Sequence, residues 1–160
     1  MPKFVTIAIL FILASVSTGA QAQSQDREVP YWASIKVDKV NMRVGPSESY
    51  PIKWVYLRNG LPLKVLRVQE GWRLVQDPDG ATGWLVARFL SLRPMGIVTG
   101  KAPAPMRAGP SADAALMWQA EPGVVGELGN CEAGWCRFTV EGRKAWIGQN
   151  RIWGQGADGD

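Results

Sequence analysis

The second half of this chain repeats the first. The segment Met42-Arg43-Val44-Gly45-Pro46-Ser47 recurs as Met106-Arg107-Ala108-Gly109-Pro110-Ser111. Further features recur at offsets that fall from 64 to 62 residues, namely Trp54 with Trp118, Gly60 with Gly123, Gly71-Trp72 with Gly134-Trp135, and Trp84 with Trp146. Matches at a near-constant offset across a whole unit indicate duplication. The sequence therefore predicts two small domains of one fold.

Both copies show the alternation of apolar and polar residues that is typical of half-buried strands. The alternating apolar sets are Val40, Met42 and Val44, then Leu61, Leu63 and Val65, and finally Cys136, Phe138 and Val140. Turn sequences separate such runs, for example Asn59-Gly60, Asp77-Pro78-Asp79-Gly80 and Glu141-Gly142. No long apolar stripe of helical period follows residue 22, so the fold class is all-β.

The first 22 residues have the pattern of a secretory signal peptide. Lys3 precedes an almost wholly apolar run from Phe4 to Val16, and Ala20-Gln21-Ala22 is a small-residue cleavage site. We expect cleavage after Ala22, with retention as a membrane anchor as the alternative. No later stretch is apolar enough to span a membrane. The mature protein is therefore expected in the periplasm or the medium.

The chain divides at its composition changes. Pro94, Gly96 and Gly100 mark a linker between the copies. The expected order is a signal peptide (1–22), a flexible N-terminus (23–31), a first domain (32–93), a linker (94–101), a second domain (102–154) and a flexible tail (155–160). The sequence leaves open whether the two domains pack together.

The first copy carries an ordered motif, made of Asn41-Met42-Arg43-Val44-Gly45-Pro46-Ser47, Asn59-Gly60, Gly71-Trp72, Thr82-Gly83-Trp84-Leu85 and Phe89-Leu90-Ser91. This order of residues resembles that of the bacterial SH3 (SH3b) family. The second copy keeps most of this pattern, but Pro105 replaces the asparagine and Arg151-Ile152-Trp153 replaces the closing segment. The resemblance implies two tandem SH3-like β-barrels. Arg43 and Arg107 are expected to lie along a tryptophan face or to pair with an acidic turn.

The resemblance also implies a function. SH3b domains are usually binding modules of envelope proteins that recognise peptidoglycan or peptide segments. Such modules use aromatic rings on one face, and the candidates here are Tyr50, Trp54, Tyr56, Trp72, Trp118 and Trp135. Trp84 and Trp146 are expected in the core. The alternative is a structural or regulatory partner of another envelope protein, without affinity for glycan.

Cys131 and Cys136 are the only cysteines, and they flank a turn. In an oxidising compartment, a disulfide across a hairpin is the natural interpretation. A redox pair is the alternative, although the C-x-x-C spacing is missing. Two cysteines without histidine cannot close a zinc site, so the sequence predicts no metal, and no cofactor motif is present.

The chain contains no histidine, which removes Ser–His and Cys–His catalysis. Glu70, Asp77 and Asp79 are the candidates for a carboxylate pair, but the Asp77 to Gly80 segment is typical of solvated turn residues. We therefore expect a protein that is not an enzyme. The formal charge of +4 fits an anionic partner, although it is too small and too dispersed to predict nucleic-acid binding.

Overall fold

The computed structural model describes residues 27–154 as two seven-stranded antiparallel sheets. The strands of the first repeat are β1 (Tyr31–Ile35), β2 (Val40–Arg43), β3 (Ile52–Tyr56), β4 (Pro62–Gln69), β5 (Trp72–Gln76), β6 (Thr82–Val86) and β7 (Leu90–Ser91). Those of the second are β8 (Met95–Val98), β9 (Ala104–Arg107), β10 (Leu116–Ala120), β11 (Val125–Glu132), β12 (Trp135–Val140), β13 (Arg143–Gly148) and β14 (Ile152–Gly154). The all-β prediction is confirmed.

The two sheets have the same topology. Their strand orders are β3-β2-β6-β5-β4-β1-β7 and β10-β9-β13-β12-β11-β8-β14, so each strand of the first corresponds to the strand seven places later. Individual backbone hydrogen bonds also recur in both repeats. The Gly60 amide donates to the Ile35 carbonyl at 2.7 Å, and the Gly123 amide donates to the Val98 carbonyl at 2.7 Å. The duplication seen in the sequence is therefore a duplication of structure, and it equates positions in the two repeats.

Each repeat encloses its own apolar core. The first core centres on Ile35, Met42, Leu63, Val65, Val75 and Leu85. The second centres on Val98, Met106, Leu128, Cys136, Phe138 and Ile147. Trp84 and Trp146 are buried, as predicted. Gly83 is required in the first core, because an added Cβ would lie 2.5 Å from Met42 Cγ.

The predicted linker over 94–101 contains a strand of the second repeat. β8 pairs with both β11 and β14, and Met95 and Val98 in it are buried. Gly96, which suggested a flexible segment, instead allows close packing, because an added Cβ would lie 2.7 Å from Leu128 Cδ1. At the N-terminal boundary, Tyr31 was predicted to end the flexible segment 23–31. In the structure it belongs to β1 and pairs with Val65 in the sheet. The predicted signal peptide and C-terminal tail lie outside the described residues.

The repeats pack against each other. The rings of Trp32 and Trp153 meet edge to face, with centroids 4.6 Å apart, and such a geometry is favourable for aromatic pairs. Arg93 forms an ion pair with Glu127 at 3.1 Å. An added Cβ on Gly60 would lie 2.9 Å from Met95 Cε in the second repeat. The question that the sequence left open is thus answered, and a cleft lies between the repeats.

Candidate functional site

The inter-repeat cleft has a volume of about 650 Å³. Its first wall belongs to repeat one and consists of Trp54, Tyr56, Arg58, Leu61 and the turn residues Asp77, Pro78 and Asp79. Its second wall belongs to repeat two and consists of Ile97, Val98, Thr99, Gly100, Pro122 and Gly123. The Arg58 guanidinium donates to the Gly123 carbonyl across the cleft and so ties the two walls together.

A buried carboxylate lies in the first wall. Asp77 is only 6% exposed. Its Oδ2 accepts a hydrogen bond from the Tyr56 hydroxyl at 2.8 Å, and its Oδ1 accepts from the backbone amides of Asp79 at 3.1 Å and Ala81 at 2.8 Å. The sequence predicted a solvated turn residue here. The structure differs because these three donors replace water around the charge.

Burial and this contact together keep the tyrosine protonated. Burial raises the pKa of Tyr56 well above the usual value for a tyrosine, and the hydrogen bond to Asp77 and the negative charges of Asp77 and Asp79 raise it further. The Tyr56 hydroxyl therefore remains a neutral donor at physiological pH. The acidic groups at this part of the cleft are therefore Asp77 and Asp79.

Trp54 is the exposed aromatic of the cleft. Its side chain is 60% exposed, whereas most apolar side chains on the inner faces of the sheets are buried. Register equates it with Trp118, because Trp54 pairs with Met42 and Trp118 pairs with Met106. The Arg143 guanidinium lies over the Trp118 ring, 4.9 Å from its centroid. None of the cation–π contacts in the described part of the chain involves Trp54.

Trp72 and Trp135 line two equivalent recesses away from the inter-repeat cleft. The Trp72 recess measures about 330 Å³ and contains Lys39, Asn41, Arg43, Glu48 and Arg88. The Trp135 recess measures about 730 Å³, and Arg151 is its only charged residue. That guanidinium already donates to the carbonyls of Thr99 and Ala102. The Trp135 recess is thus the larger one but offers no uncommitted charge.

Tyr50 packs within its own loop. Its ring lies against Gly45, where an added Cβ would come within 2.6 Å of Tyr50 Cγ. The corresponding pair in the second repeat is Gly109 and Ala114. Of the six aromatic candidates, the structure brings only Trp54 and Tyr56 together. Tyr50, Trp72, Trp118 and Trp135 each lie elsewhere, and Trp118 lies beneath Arg143.

Sequence reasoning considered Asp77 only as a candidate for a carboxylate pair, and it did not identify Arg58 or the Thr99 wall as parts of a site. Asp77 belongs to a turn sequence, and most aspartates in turns are solvated, so its burial was not expected. The second wall depends on how the repeats pack, which no local pattern encodes. Among residues 27–154 there is no cluster of three or more potential metal ligands. That part of the chain also contains no helix that is long and apolar enough to cross a membrane.

The duplicated sheets with their own cores define a protein of two tandem, barrel-like β-domains. The chain belongs to the bacterial SH3 domain family, which matches residues 36–91 and 100–154. The predicted family and its two copies are therefore confirmed. No match was found among curated proteins.

Several solved structures are similar over much of this chain. NlpC2 from Trichomonas vaginalis shares 10% identity at a TM-score of 0.37, with 79% of this chain and 49% of that chain covered. NlpC1 from the same organism shares 11% identity at a TM-score of 0.35, with 81% and 47% covered. An NlpC/P60 family protein from Bacillus cereus shares 15% identity at a TM-score of 0.34, with 77% and 56% covered. This chain thus spans about half the length of these structures.

Proposed function

We propose that this protein is an exported, non-catalytic binding module that recognises peptidoglycan or a peptide segment in the cell envelope, and that its ligand enters the inter-repeat cleft. The observation that carries the proposal is the uncovered ring of Trp54. An exposed tryptophan beside a concave surface with a few polar groups is typical of ligand sites. Family membership supports the same function, because bacterial SH3 domains are commonly cell-wall binding modules.

The state of the carboxylates supports a binding role over a catalytic one. Asp77 is buried and both of its oxygens accept hydrogen bonds from the protein, so this carboxylate holds the turn rather than facing a substrate. Glu70 lies in the turn between β4 and β5 and does not line the inter-repeat cleft. Asp79 is therefore the one uncommitted carboxylate at the cleft, and a carboxylate pair of the glycosidase type is not assembled there.

Co-sedimentation with purified peptidoglycan sacculi, at low and moderate salt, tests the proposal. We expect the wild-type protein to sediment at both salt concentrations. Trp54→Ala should lower the bound fraction about five-fold, which is the effect of losing one exposed aromatic contact. Leu57→Ala is the matched control, because Leu57 is 74% exposed next to the same strand but does not line the cleft. It should bind like the wild type.

A second candidate function is that of a partner of another envelope protein, without affinity for glycan. Exposed apolar side chains on the edge strands β3 and β10 favour it, namely Ile52, Val55, Leu116 and Met117. Exposed edge strands can accept a further strand from a partner. A wild-type protein that stays in the supernatant with sacculi would favour this candidate, and pull-down from envelope extract would then follow.

Export is tested separately. If the signal peptide is cleaved after Ala22, the protein recovered from expressing cells begins at Gln23, as mass spectrometry would show. An intact N-terminus on a membrane-associated protein would instead indicate a retained anchor. An intact N-terminus on a protein in the cytoplasm would contradict export.

A further inference from the structure

In the second repeat, a guanidinium group covers the tryptophan ring that corresponds to Trp54. There, the Arg143 guanidinium lies 4.9 Å from the centroid of the Trp118 ring. A cation over an indole face is attracted by the negative face of the ring quadrupole. Trp118 and Trp54 occupy the same place in duplicated sheets. The first repeat therefore presents an equivalent cation-binding surface with its cation missing.

One sequence difference explains why repeat one has no cation over Trp54. Arg143 pairs with Val140 across the β12–β13 hairpin. The corresponding hairpin pair in repeat one is Ala81 and Asp77, whose backbones are joined by a hydrogen bond of 3.0 Å. Ala81 thus stands in the place of Arg143. Its methyl group is too short to cover the Trp54 ring, which accounts for the exposure of that ring.

The charge around the ring is also reversed between the repeats. Tyr56 corresponds to Ala120, because they pair with Val40 and Ala104 respectively. Repeat two therefore has alanine and valine where repeat one has the hydrogen-bonded Tyr56 and Asp77. Asp79 adds a second, exposed carboxylate to the same turn. Repeat one thus combines an uncovered indole with negative charge, and both features attract a cation.

The basic residues near the cleft do not cover the Trp54 ring. Arg58 is committed to the Gly123 carbonyl on the opposite wall. Lys53, the neighbour of Trp54 in β3, donates to the Thr82 carbonyl at 2.6 Å. Neither side chain therefore takes the position over Trp54 that Arg143 takes over Trp118.

The geometry points to the inter-repeat cleft as a receptor for a cationic side chain, an ammonium or a guanidinium, held over Trp54 and beside Asp79. This inference rests on the proposed function and deepens it, because it names the part of the ligand that the cleft recognises. On peptidoglycan, the group would be a free amino group of the peptide portion. The net positive charge of the protein does not oppose this, because two carboxylates, Asp77 and Asp79, and one guanidinium, Arg58, line the cleft.

The first test compares native sacculi with sacculi whose amino groups have been acetylated, since acetylation removes the positive charge and leaves the glycan intact. We expect the bound fraction of wild-type protein to fall about five-fold on acetylated sacculi. Trp54→Ala should bind both preparations equally weakly. Equal binding of the wild-type protein to both preparations would overturn the inference while the proposed function stood.

The second test supplies the missing cation from the protein itself. Ala81→Arg copies the arrangement of repeat two and should cover Trp54, so that binding to native sacculi falls as far as in Trp54→Ala. Thr82→Arg is the matched control, because it adds the same charge at the next residue, whose side chain points to the other face of the strand. Lys144 already occupies the corresponding position in repeat two. If both variants bind equally well, the ring is not the cation site.

A soluble probe separates the inference from the proposed function. Acetyl-Gly-Lys-Gly-amide and its norleucine counterpart differ only in the terminal ammonium. We expect the lysine peptide alone to shift the Trp54 indole signal in a nuclear magnetic resonance titration, with Asp79→Asn weakening the effect about three-fold. A response to this probe without sedimentation on native sacculi would refute peptidoglycan as the ligand and retain the cation site. Failure of both would overturn the cation site and also peptidoglycan as the ligand.

Discussion

Arg43 Nη1 donates a hydrogen bond to the backbone carbonyl of Tyr50 at 2.7 Å. The second repeat forms the same bond, from Arg107 to the carbonyl of Ala114, also at 2.7 Å. The arginine of the duplicated motif thus holds the end of the loop that follows its own strand. The sequence predicted contact with a tryptophan face or an acidic turn for these arginines, and the structure instead gives them a backbone acceptor.

Arg43→Lys should loosen this loop. A lysine carries its charge at a single point and lacks the planar fork of donors that reaches the Tyr50 carbonyl. We expect the free energy of unfolding to fall by about 1 kcal/mol and amide exchange to accelerate over residues 44–50. Denaturant titration and hydrogen exchange measure the two effects. Unchanged exchange in this loop would show that the bond does not order it.

Tyr56→Phe should destabilise the first repeat. The change leaves Asp77 Oδ2 buried without its hydroxyl donor, and a lost hydrogen bond to a buried charge costs about 1–3 kcal/mol. Chemical denaturation at neutral pH measures the loss. Tyr31→Phe serves as the control, because Tyr31 is less buried and its hydroxyl accepts a bond from Arg73. Equal stability of Tyr56→Phe and wild type would contradict a structural role for the pair.

The same tyrosine predicts sensitivity to alkali. Its folded pKa is raised above the unfolded value of about 10, so its contribution to stability is complete below that pH. It declines as the pH rises further, because only the unfolded chain then releases the proton, at up to about 1.4 kcal/mol per pH unit. Wild-type stability should therefore fall more steeply than that of Tyr56→Phe above pH 10. If the unfolding free energies of the two proteins fell in parallel above pH 10, the burial of this hydroxyl would be contradicted.

Trp153→Ala should loosen the packing of the two repeats, because it removes the edge-to-face contact with Trp32 that joins them. We expect a loss of about 2 kcal/mol and a radius of gyration that increases in small-angle scattering. The single thermal transition expected of packed repeats should broaden or divide. Leu92→Ala, at an exposed site, is the control. An unchanged scattering profile and transition would show that other contacts hold the interface.

The disulfide between Cys131 and Cys136 is present, as predicted, and joins cross-strand partners of β11 and β12. Because it closes a loop of only a few residues, replacing both cysteines with alanine, which adds no polar group to the core around Cys136, should cost about 2 kcal/mol on the chain-entropy estimate. The corresponding residues of repeat one are Val68 and Arg73. Loss of stability confined to repeat two in hydrogen exchange would support a structural role, and an unchanged profile would contradict it.

The repeat, the strand alternation and the core tryptophans could be predicted from the sequence because each depends on local periodicity. The inter-repeat cleft could not, since its second wall comes from the other repeat and depends on how the two repeats pack. A turn motif also does not reveal whether its aspartate is buried, because the donor from Tyr56 comes from a strand 21 residues away. Likewise, Trp54 and Trp118 are equivalent in sequence, and only the structure shows Arg143 over one of them.

The central claim is that ligand enters the inter-repeat cleft at Trp54. The most direct test records the indole N–H signals of all eight tryptophans while soluble peptidoglycan fragments are added, with Trp54→Ala used to assign the key signal. The account predicts that Trp54 shifts in a saturable manner, while the buried Trp84 and Trp146 do not. Shifts of Trp72 or Trp135 with an unmoved Trp54, or no shifts at all, would contradict it.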